Sequence, residues 1–497
     1  MTGLRALTAV LSLGAFLVVL DTTVVNVALN TLAEDFDTDL ATVQWVATGY
    51  TLALATVIPL SGWAADRFGT KRVYLTSIVL FVAGSVLAGI AWNAETLILF
   101  RVLQGLGGGM LMPAGMTILT RAAGPQRVGR VMGIIGIPML IGPILGPILG
   151  GWLVDDLSWR WIFFINLPIG AIALFLALRV LPKDESQPAV KLDWLGLALL
   201  SPSLALIIYG LAESSEQGGF GHAVVLGPVI VGAVLFSGFV WNGLRRPAIA
   251  LIDLRLFKNA TYSAAFGTMI LMIISVFGAM LLLPLYLQSV RGESAFSTGL
   301  LLAPQGLGAM IAMPIAGKLT DVTGVGRFVP PALALVAVTF LALTQIAADT
   351  SYWTLSVVLF FMGVGMGGSM MPLFSGAIQT LRRADIARAS TALNINQQVG
   401  ASIGTAILSV LLASSLKDKF GGGEGGGIGG RIPDNIREQI APQMAESYGS
   451  VFLVAFVLVA IATVVAAIVL PKHKPEPLED PDDPEAAAAE AQSLAMV

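Results

Sequence analysis

The 497-residue chain has no cysteine, which removes disulfides, iron–sulfur clusters and thiolate zinc sites from consideration. Its two histidines, His222 and His473, each lie in a polar stretch, so an imidazole metal site has no ligands to draw on. Charge is scarce too. Only 12% of residues are Asp, Glu, Lys or Arg, about half the roughly 25% of a water-soluble domain. No basic block of the kind that binds nucleic acid occurs. Together these shortages argue against a soluble enzyme, a metalloprotein or a nucleic-acid-binding protein, and no cofactor is expected.

What the chain has instead is apolar sequence: 56% of residues are hydrophobic and the mean hydropathy is +0.83. In that setting 55 glycines and 25 prolines suit membrane helices, which use small residues for close packing. A bilayer core of about 30 Å takes roughly 20 apolar residues per helix. Fourteen such runs begin near Ala6, Trp45, Val73, Glu95, Val131, Trp161, Trp194, Ala223, Ala260, Ser297, Val329, Trp353, Ala389 and Tyr448. The first is too long for a signal-peptide core and has no cleavage site, so it is expected to be retained. With the N-terminus inside, the loops at 66–72, 121–130, 179–191, 245–258, 318–327 and 382–388 place most of the 28 basic residues on the cytoplasmic side. The expectation is an all-α, multi-pass protein of the cell inner (plasma) membrane, both termini cytoplasmic, monomeric in the lipid bilayer. Residues 416–447, with their GGGEGGGIGG run, read as a variable outer loop carrying a short amphipathic helix from Asp434 to just before Tyr448. The acidic, Pro-rich tail from Pro471 reads as disordered.

Two internal echoes argue for duplicated halves. GLGGGMLMPAGMTILTR at 105–121 matches VGMGGSMMPLFSGAIQTLR at 364–382, aligning Pro113 with Pro372. Gly62, Asp66, Gly69 and Arg72 recur as Gly317, Asp321, Gly324 and Arg327 at nearly the same offset. The expected organisation is a six-helix bundle over 1–181, a linker with two extra spans over 182–259, a second six-helix bundle over 260–470 and the tail over 471–497. Parallel repeats of this kind mark transporters that rock two bundles about a midplane site.

An ionised group in mid-bilayer costs about 2.5–3.5 kcal/mol on insertion scales, so one that persists needs a reason. Asp21 is the acid that lies well inside an apolar run, and Arg101 the deeply placed base. At 1.5 Å per residue both sit roughly 10 Å from the outer ends of their helices. The halves differ here, since Arg101 aligns with Phe360 and Asp21 falls opposite Met280. An acid whose surroundings alternate is a simple proton carrier, because a nearby cation favours its charged form and burial the neutral one. A static ion pair that only stabilises the bundle is the alternative.

At these residues the chain resembles the major facilitator superfamily, specifically its fourteen-span drug:proton antiporter family. The resemblance runs through Leu20-Asp21-Thr22-Thr23-Val24-Val25-Asn26-Val27-Ala28-Leu29 in the first span, with Asn30 where the family usually has Pro, and through GWAADRFGTKR at 62–72. It continues with Arg101-Val102-Leu103-Gln104-Gly105, then Gly142-Pro143-Ile144-Leu145-Gly146-Pro147-Ile148-Leu149-Gly150-Gly151, then WRWIFFINLPIG at 159–170.

Physical roles can be assigned to several of these residues. Gly62 allows close helix approach and Gly69 a sharp turn. Asp66 can sit at a helix N-terminus, worth roughly 0.3–1 kcal/mol, and a contact made in one state only would bias a conformational switch. Arg67 and Arg72 would hold the loop inside; a plain topogenic loop is the other reading. Gly142, Gly146 and Gly150 line one helix face, with Gly151 beside it, and Pro143 and Pro147 loosen the backbone between them. That face suits a sliding contact between bundles, and the resemblance implies that it also seals against leak and marks export.

The resulting expectation is a proton-coupled antiporter that exports lipophilic or cationic drug-like compounds by alternating access. Its partners are protons and a small-molecule substrate, its proton-coupling residues Asp21 and Arg101. Asn26, Gln104, Gln305, Asn394, Asn396 and Gln397 are the candidate substrate contacts, although interhelical hydrogen bonding would account for each equally well. Export of an endogenous lipid, siderophore or metabolite on the same scaffold stays open. A non-transporting membrane sensor is more remote, since its expected mark would be an appended soluble domain.

Overall fold

The computed structural model describes residues 2–38, 40–123, 128–182, 191–216, 219–247, 249–382, 385–420 and 434–472. Every regular element among them is helical. The first bundle holds α1 (Thr2–Asp35), α2 (Leu40–Phe68), α3 (Thr70–Gly89), α4 (Ala94–Ala123), α5 (Val128–Asp156), α6 (Trp161–Phe164) and α7 (Asn166–Val180). Next come α8 (Trp194–Glu216), α9 (Ala223–Arg245) and a 3₁₀ turn, η1 (Leu254–Lys258). The second bundle holds α10 (Ala260–Ser289), α11 (Ala295–Thr323), α12 (Val325–Leu343), α13 (Tyr352–Gln379), α14 (Ile386–Phe420) and α15 (Asp434–Val469). Thirteen stretches of the described residues are long and apolar enough to cross a membrane, α6 and α7 making one of them together. The 29-residue α5 fills the fifth place, completing the expected order of spans.

The duplication is visible in backbone geometry. Gly69 (φ 90°, ψ 144°) joins α2 to α3, and Gly324 (φ 84°, ψ 157°) joins α11 to α12 through the same turn. Both φ values lie where a side chain is strained, so the turn needs glycine. In the first bundle α4 is wedged between α2 and α3; in the second α13 is wedged between α11 and α12. The glycine-rich runs make this possible. A Cβ on Gly105 would lie 2.6 Å from the Tyr50 carbonyl oxygen of α2, and one on Gly107 equally close to the Phe81 nitrogen of α3. Gly367 stands likewise 2.7 Å from the Ala309 carbonyl oxygen of α11.

The bundles meet along α2–α14 and α5–α11. The extra span α8 packs on both α2 and α14, so it covers the outside of that seam. Leu200, Leu204 and Ile208 of α8 form an apolar cluster with Ile58 of α2 and Ile395 of α14. Ser201 donates to the Thr56 carbonyl at 2.6 Å, and Tyr209 stacks on Trp45.

Two readings need correction. The segment 416–447 is mostly helix: α14 runs on to Phe420, and α15 starts at Asp434 but continues unbroken through Tyr448 to Val469. These extensions hold each other through Lys419–Glu446 at 2.7 Å, and Tyr448 is buried against Tyr286. The Gly-rich run 421–433 and the tail from His473 lie outside the described residues. Second, the α5 glycine face does not lie between bundles. Gly142, Gly146 and Gly150 pack on Val19, Thr23 and Val24 of α1, in the same bundle.

Candidate functional site

The sequence offers one deep acid and one deep base, and the fold brings them into contact. Arg101 Nη1 of α4 donates to Asp21 Oδ2 of α1 at 2.6 Å, with both side chains about 1% exposed or less. Two more donors converge on the other carboxylate oxygen: Gln104 Nε2 at 2.8 Å and Asn166 Nδ2 at 2.7 Å. Arg101 is satisfied in turn. It donates from Nη1 to Gln104 Oε1 at 2.7 Å and from Nε to the Val46 carbonyl at 3.2 Å. Its guanidinium lies 3.9 Å from the Tyr50 ring centroid, with Phe163 on another side at 5.7 Å. Desolvated contact with an aromatic face adds to the attraction felt by a cation. Leaving either charge alone here would cost about 3–5 kcal/mol, so the cage is what makes the pair tolerable.

The WRWIFFINLPIG run supplies much of this cage by wrapping around α1. Trp159 Nε1 donates to Asp35 at the far end of α1 at 2.8 Å. Phe163 packs beside Arg101, and its carbonyl accepts from Ser85 Oγ at 2.9 Å. Asn166, at the start of α7, reaches Asp21. Asn166 and Tyr50 had not been singled out from the sequence. Asn166 could have been, since it is a polar residue inside an apolar span, the same signal that Asp21 gives.

One and two residues along α1 from Asp21, Thr22 and Thr23 line a cavity of about 320 Å³ between the bundles. Its wall is apolar and methionine-rich, with Met112, Phe277, Met280, Met366 and Met370, and its polar groups are neutral: Thr22, Thr23, Thr51, Asn394, Gln397 and Gln398. Among the described residues, no ionised side chain lines it.

The expected substrate contacts therefore divide. Asn394 and Gln397 line the cavity, joined by Gln398, which the sequence did not single out. Gln305 stands behind the wall, its amide 3.3 Å from the Met366 sulfur. Gln104 belongs to the Asp21 cage. Asn396 ties α14 to the Phe266 carbonyl of α10 at 3.0 Å, and Asn26 is exposed rather than on the cavity wall.

The expected switch residues of the 62–72 run lie at the end of the molecule where the described residues begin and stop. There Ser61 of α2 and Thr391 of α14 share a 3.1 Å hydrogen bond. A Cβ on Gly62 would sit 2.9 Å from Thr391 Oγ1, so glycine allows this approach. Asp66 accepts from Arg121 at 3.1 Å, and Arg388 of α14 is close enough to act on its charge. Arg67 lies in the last turn of α2 and Arg72 in the first turn of α3, and Lys71 donates to the carbonyls of Leu178, in the last turn of α7, and Leu181, just after it. Just before α14, burial and the neighbouring charge of Asp253 hold the Asp385 carboxyl above the usual carboxylate range. On α5, Gly151 has open space beside it, while the side chains of Pro143 and Pro147 lie outside those described.

A family model described as the Major Facilitator Superfamily matches residues 11–405. The chain belongs to that superfamily. It is a multi-pass membrane transporter, not an enzyme. Among superfamily members, a multidrug resistance protein B homolog of Mycobacterium tuberculosis strain H37Rv is 47% identical over 405 residues, covering 81% of this chain and 75% of that one. The multidrug export protein EmrB of Haemophilus influenzae is 31% identical over 401 residues, covering 80% and 78%. The human organic anion transporter MFSD10 superposes with a TM-score of 0.61 at 15% identity, covering 92% of this chain and 99% of that one. The proton:xylose symporter XylE gives 0.58 at 13%, covering 92% and 95%. At such identities these structures speak for the superfamily fold alone.

Proposed function

We propose that this transporter is a proton-driven exporter of lipophilic compounds, delocalised cations included, in the cell's plasma membrane with both termini in the cytoplasm. The observation that carries the reading is the adjacency on α1 of a fully buried, caged carboxylate and the uncharged wall of the cavity. A wall of methionine, Phe277 and neutral amides suits apolar molecules of varied shape, because methionine side chains are flexible and polarisable. The names of the multidrug resistance and export relatives support the same reading.

Asp21 would act through α1 rather than by touching the substrate. In the outward-facing state it takes up a proton, and its ion pair with Arg101 weakens to a bond from a cation to a neutral carboxyl. α1 then shifts against α4 and α7, and Thr22 and Thr23 move with it. In the inward-facing state the proton leaves, the ion pair reforms, and substrate bound from the inside is carried out. Each net charge moved through 100 mV supplies about 2.3 kcal/mol, roughly a 50-fold gradient. The structure, joined at Ser61–Thr391, is closed between α2 and α14 at the termini end, the end proposed to be cytoplasmic.

Efflux from proteoliposomes with an imposed pH gradient, run on a small panel of dye-like cations and neutral analogues, tests this. Uphill movement of both classes, with counter-movement of protons, is expected. Transport indifferent to the pH gradient would overturn the proton coupling, and strict selection of one endogenous metabolite over the dyes would overturn the substrate class.

A further inference from the structure

All three groups around Asp21 donate hydrogen, an arrangement that fits a carboxylate and opposes a carboxylic acid. An ionised carboxylate only accepts, whereas a protonated one must also donate. If a proton adds to Oδ1, the oxygen away from Arg101, its new O–H points at the amide groups of Gln104 and Asn166. Gln104 cannot turn to receive it without giving up the bond from Arg101 to Gln104 Oε1. Asn166 can. Its side chain is fully buried, and its Oδ1 is a buried acceptor with no hydrogen-bond partner. Such an orphan is costly and calls for an explanation.

We infer that Asn166 is a positioning residue for the proton on Asp21, an amide that turns when the carboxyl changes charge. With Asp21 ionised, Asn166 Nδ2 donates to Asp21 Oδ1 and to Ser85 Oγ at 3.0 Å. When a hydronium ion gives its proton to Oδ1, one O–H bond forms, one in the hydronium breaks, and a water molecule leaves. A half-turn about the Asn166 Cβ–Cγ bond then brings Oδ1 to face both groups. It accepts from the Asp21 O–H, and from the Ser85 hydroxyl once that turns away from the Phe163 carbonyl, while Nδ2 gives up its bonds to Asp21 and Ser85 and takes the place Oδ1 leaves. Asn166 opens α7 and abuts α6, so the turn is felt at the joint between these helices, beside α1. Among the described residues, the charged or titratable groups facing Asp21 are Arg101 from α4 and Tyr50 from α2. The groups presented by α3, α6 and α7 are Ser85, Phe163 and Asn166, none of which titrates.

The inference rests on the reading of Asp21 as the proton site, and its test separates the two. Infrared difference spectra of the full-length protein between low and high pH, with asparagine carbonyls isotope-labelled, read the amide directly. In the native protein an asparagine amide band is expected to change with the same midpoint pH as the Asp21 carboxyl band. Asn166→Ala should abolish that amide change, move the Asp21 carbonyl stretch to higher frequency, and lower the ratio of uphill efflux to downhill dye exchange at least tenfold. Asn166→Asp keeps shape and acceptor but adds an acid, so its pH profile should move to higher pH. An asparagine band that stays constant while Asp21 titrates would overturn the switch, and the native spectra alone give that result should the variants fail to fold. An Asn166→Ala protein with unchanged coupling ratio and pH midpoint would overturn it too. Uphill, proton-driven efflux in Asp21→Asn would instead overturn the proton-site reading, and this inference with it.

Discussion

Arg101 and Asp21 form a buried pair whose members depend on each other for their charge. Asp21→Asn keeps the shape and removes the titrating group. Uphill efflux in proteoliposomes should fall to the level seen without a pH gradient, with expression retained. Arg101→Ala leaves the carboxylate unpaired in a dry site, where taking up a proton is the cheaper response. The pH optimum of transport should therefore move to higher pH. Arg101→Lys should recover part of that shift without restoring the Nε bond to Val46. Because the two residues act as a unit, Asp21→Asn with Arg101→Ala should be no worse than Asp21→Asn alone. Additive losses with an unmoved pH profile would make them independent. The pair was legible in the sequence because each charge is singular in its surroundings and counting residues from the span ends puts both at one depth. Its amide donors were less legible. Gln104 reads from the sequence as a substrate contact, and Asn166 lies inside the WRWIFFINLPIG run with no sequence neighbour that points to Asp21.

Helix packing in a bilayer depends on how closely backbones approach, since apolar side chains gain nothing by leaving lipid. Gly146 shows the consequence. A Cβ there runs into the Thr23 side chain of α1, whereas one at Gly151 meets nothing. Thr23 Oγ1 also lies 3.2 Å from the Gly142 carbonyl, so α1 and α5 are fitted to each other along this face. Gly146→Val should lower stability by about 1–3 kcal/mol, as overpacking does, and depress transport through α1. Gly151→Val should leave the melting temperature in detergent within a degree or two. Equal behaviour of the two variants would remove the packing assignment. The four-residue glycine spacing identified the face but could not say which helix it meets. For the same kind of reason residues 416–447 looked like a loop: beyond the bilayer, polar composition suits a loop and a hydrated helix alike. Pairings such as Lys419–Glu446, across two chain segments, distinguish them.

Across the whole molecule, function requires the bundles to part and rejoin. The Ser61–Thr391 contact marks one closed junction, and the absence of native cysteine makes it directly testable. Ser61→Cys with Thr391→Cys should cross-link on oxidation, lower uphill efflux at least tenfold, and recover on reduction. Full activity of the cross-linked protein would show that α2 and α14 do not separate during the cycle. The helical, many-span character of the chain, the order of its helices and the deep Asp21–Arg101 pair were legible in the sequence alone. The reason is that a membrane helix closes its own backbone hydrogen bonds, and its apolar length is a local property. Which side chains face each other was decided only by the tertiary structure. Asn394 and Asn396 stand two residues, about 200°, apart on α14, so one lines the cavity and the other ties α10. That rotation is set by packing against helices far away in the chain. The same packing seats α8 over the α2–α14 seam and aims the Asn166 amide at Asp21.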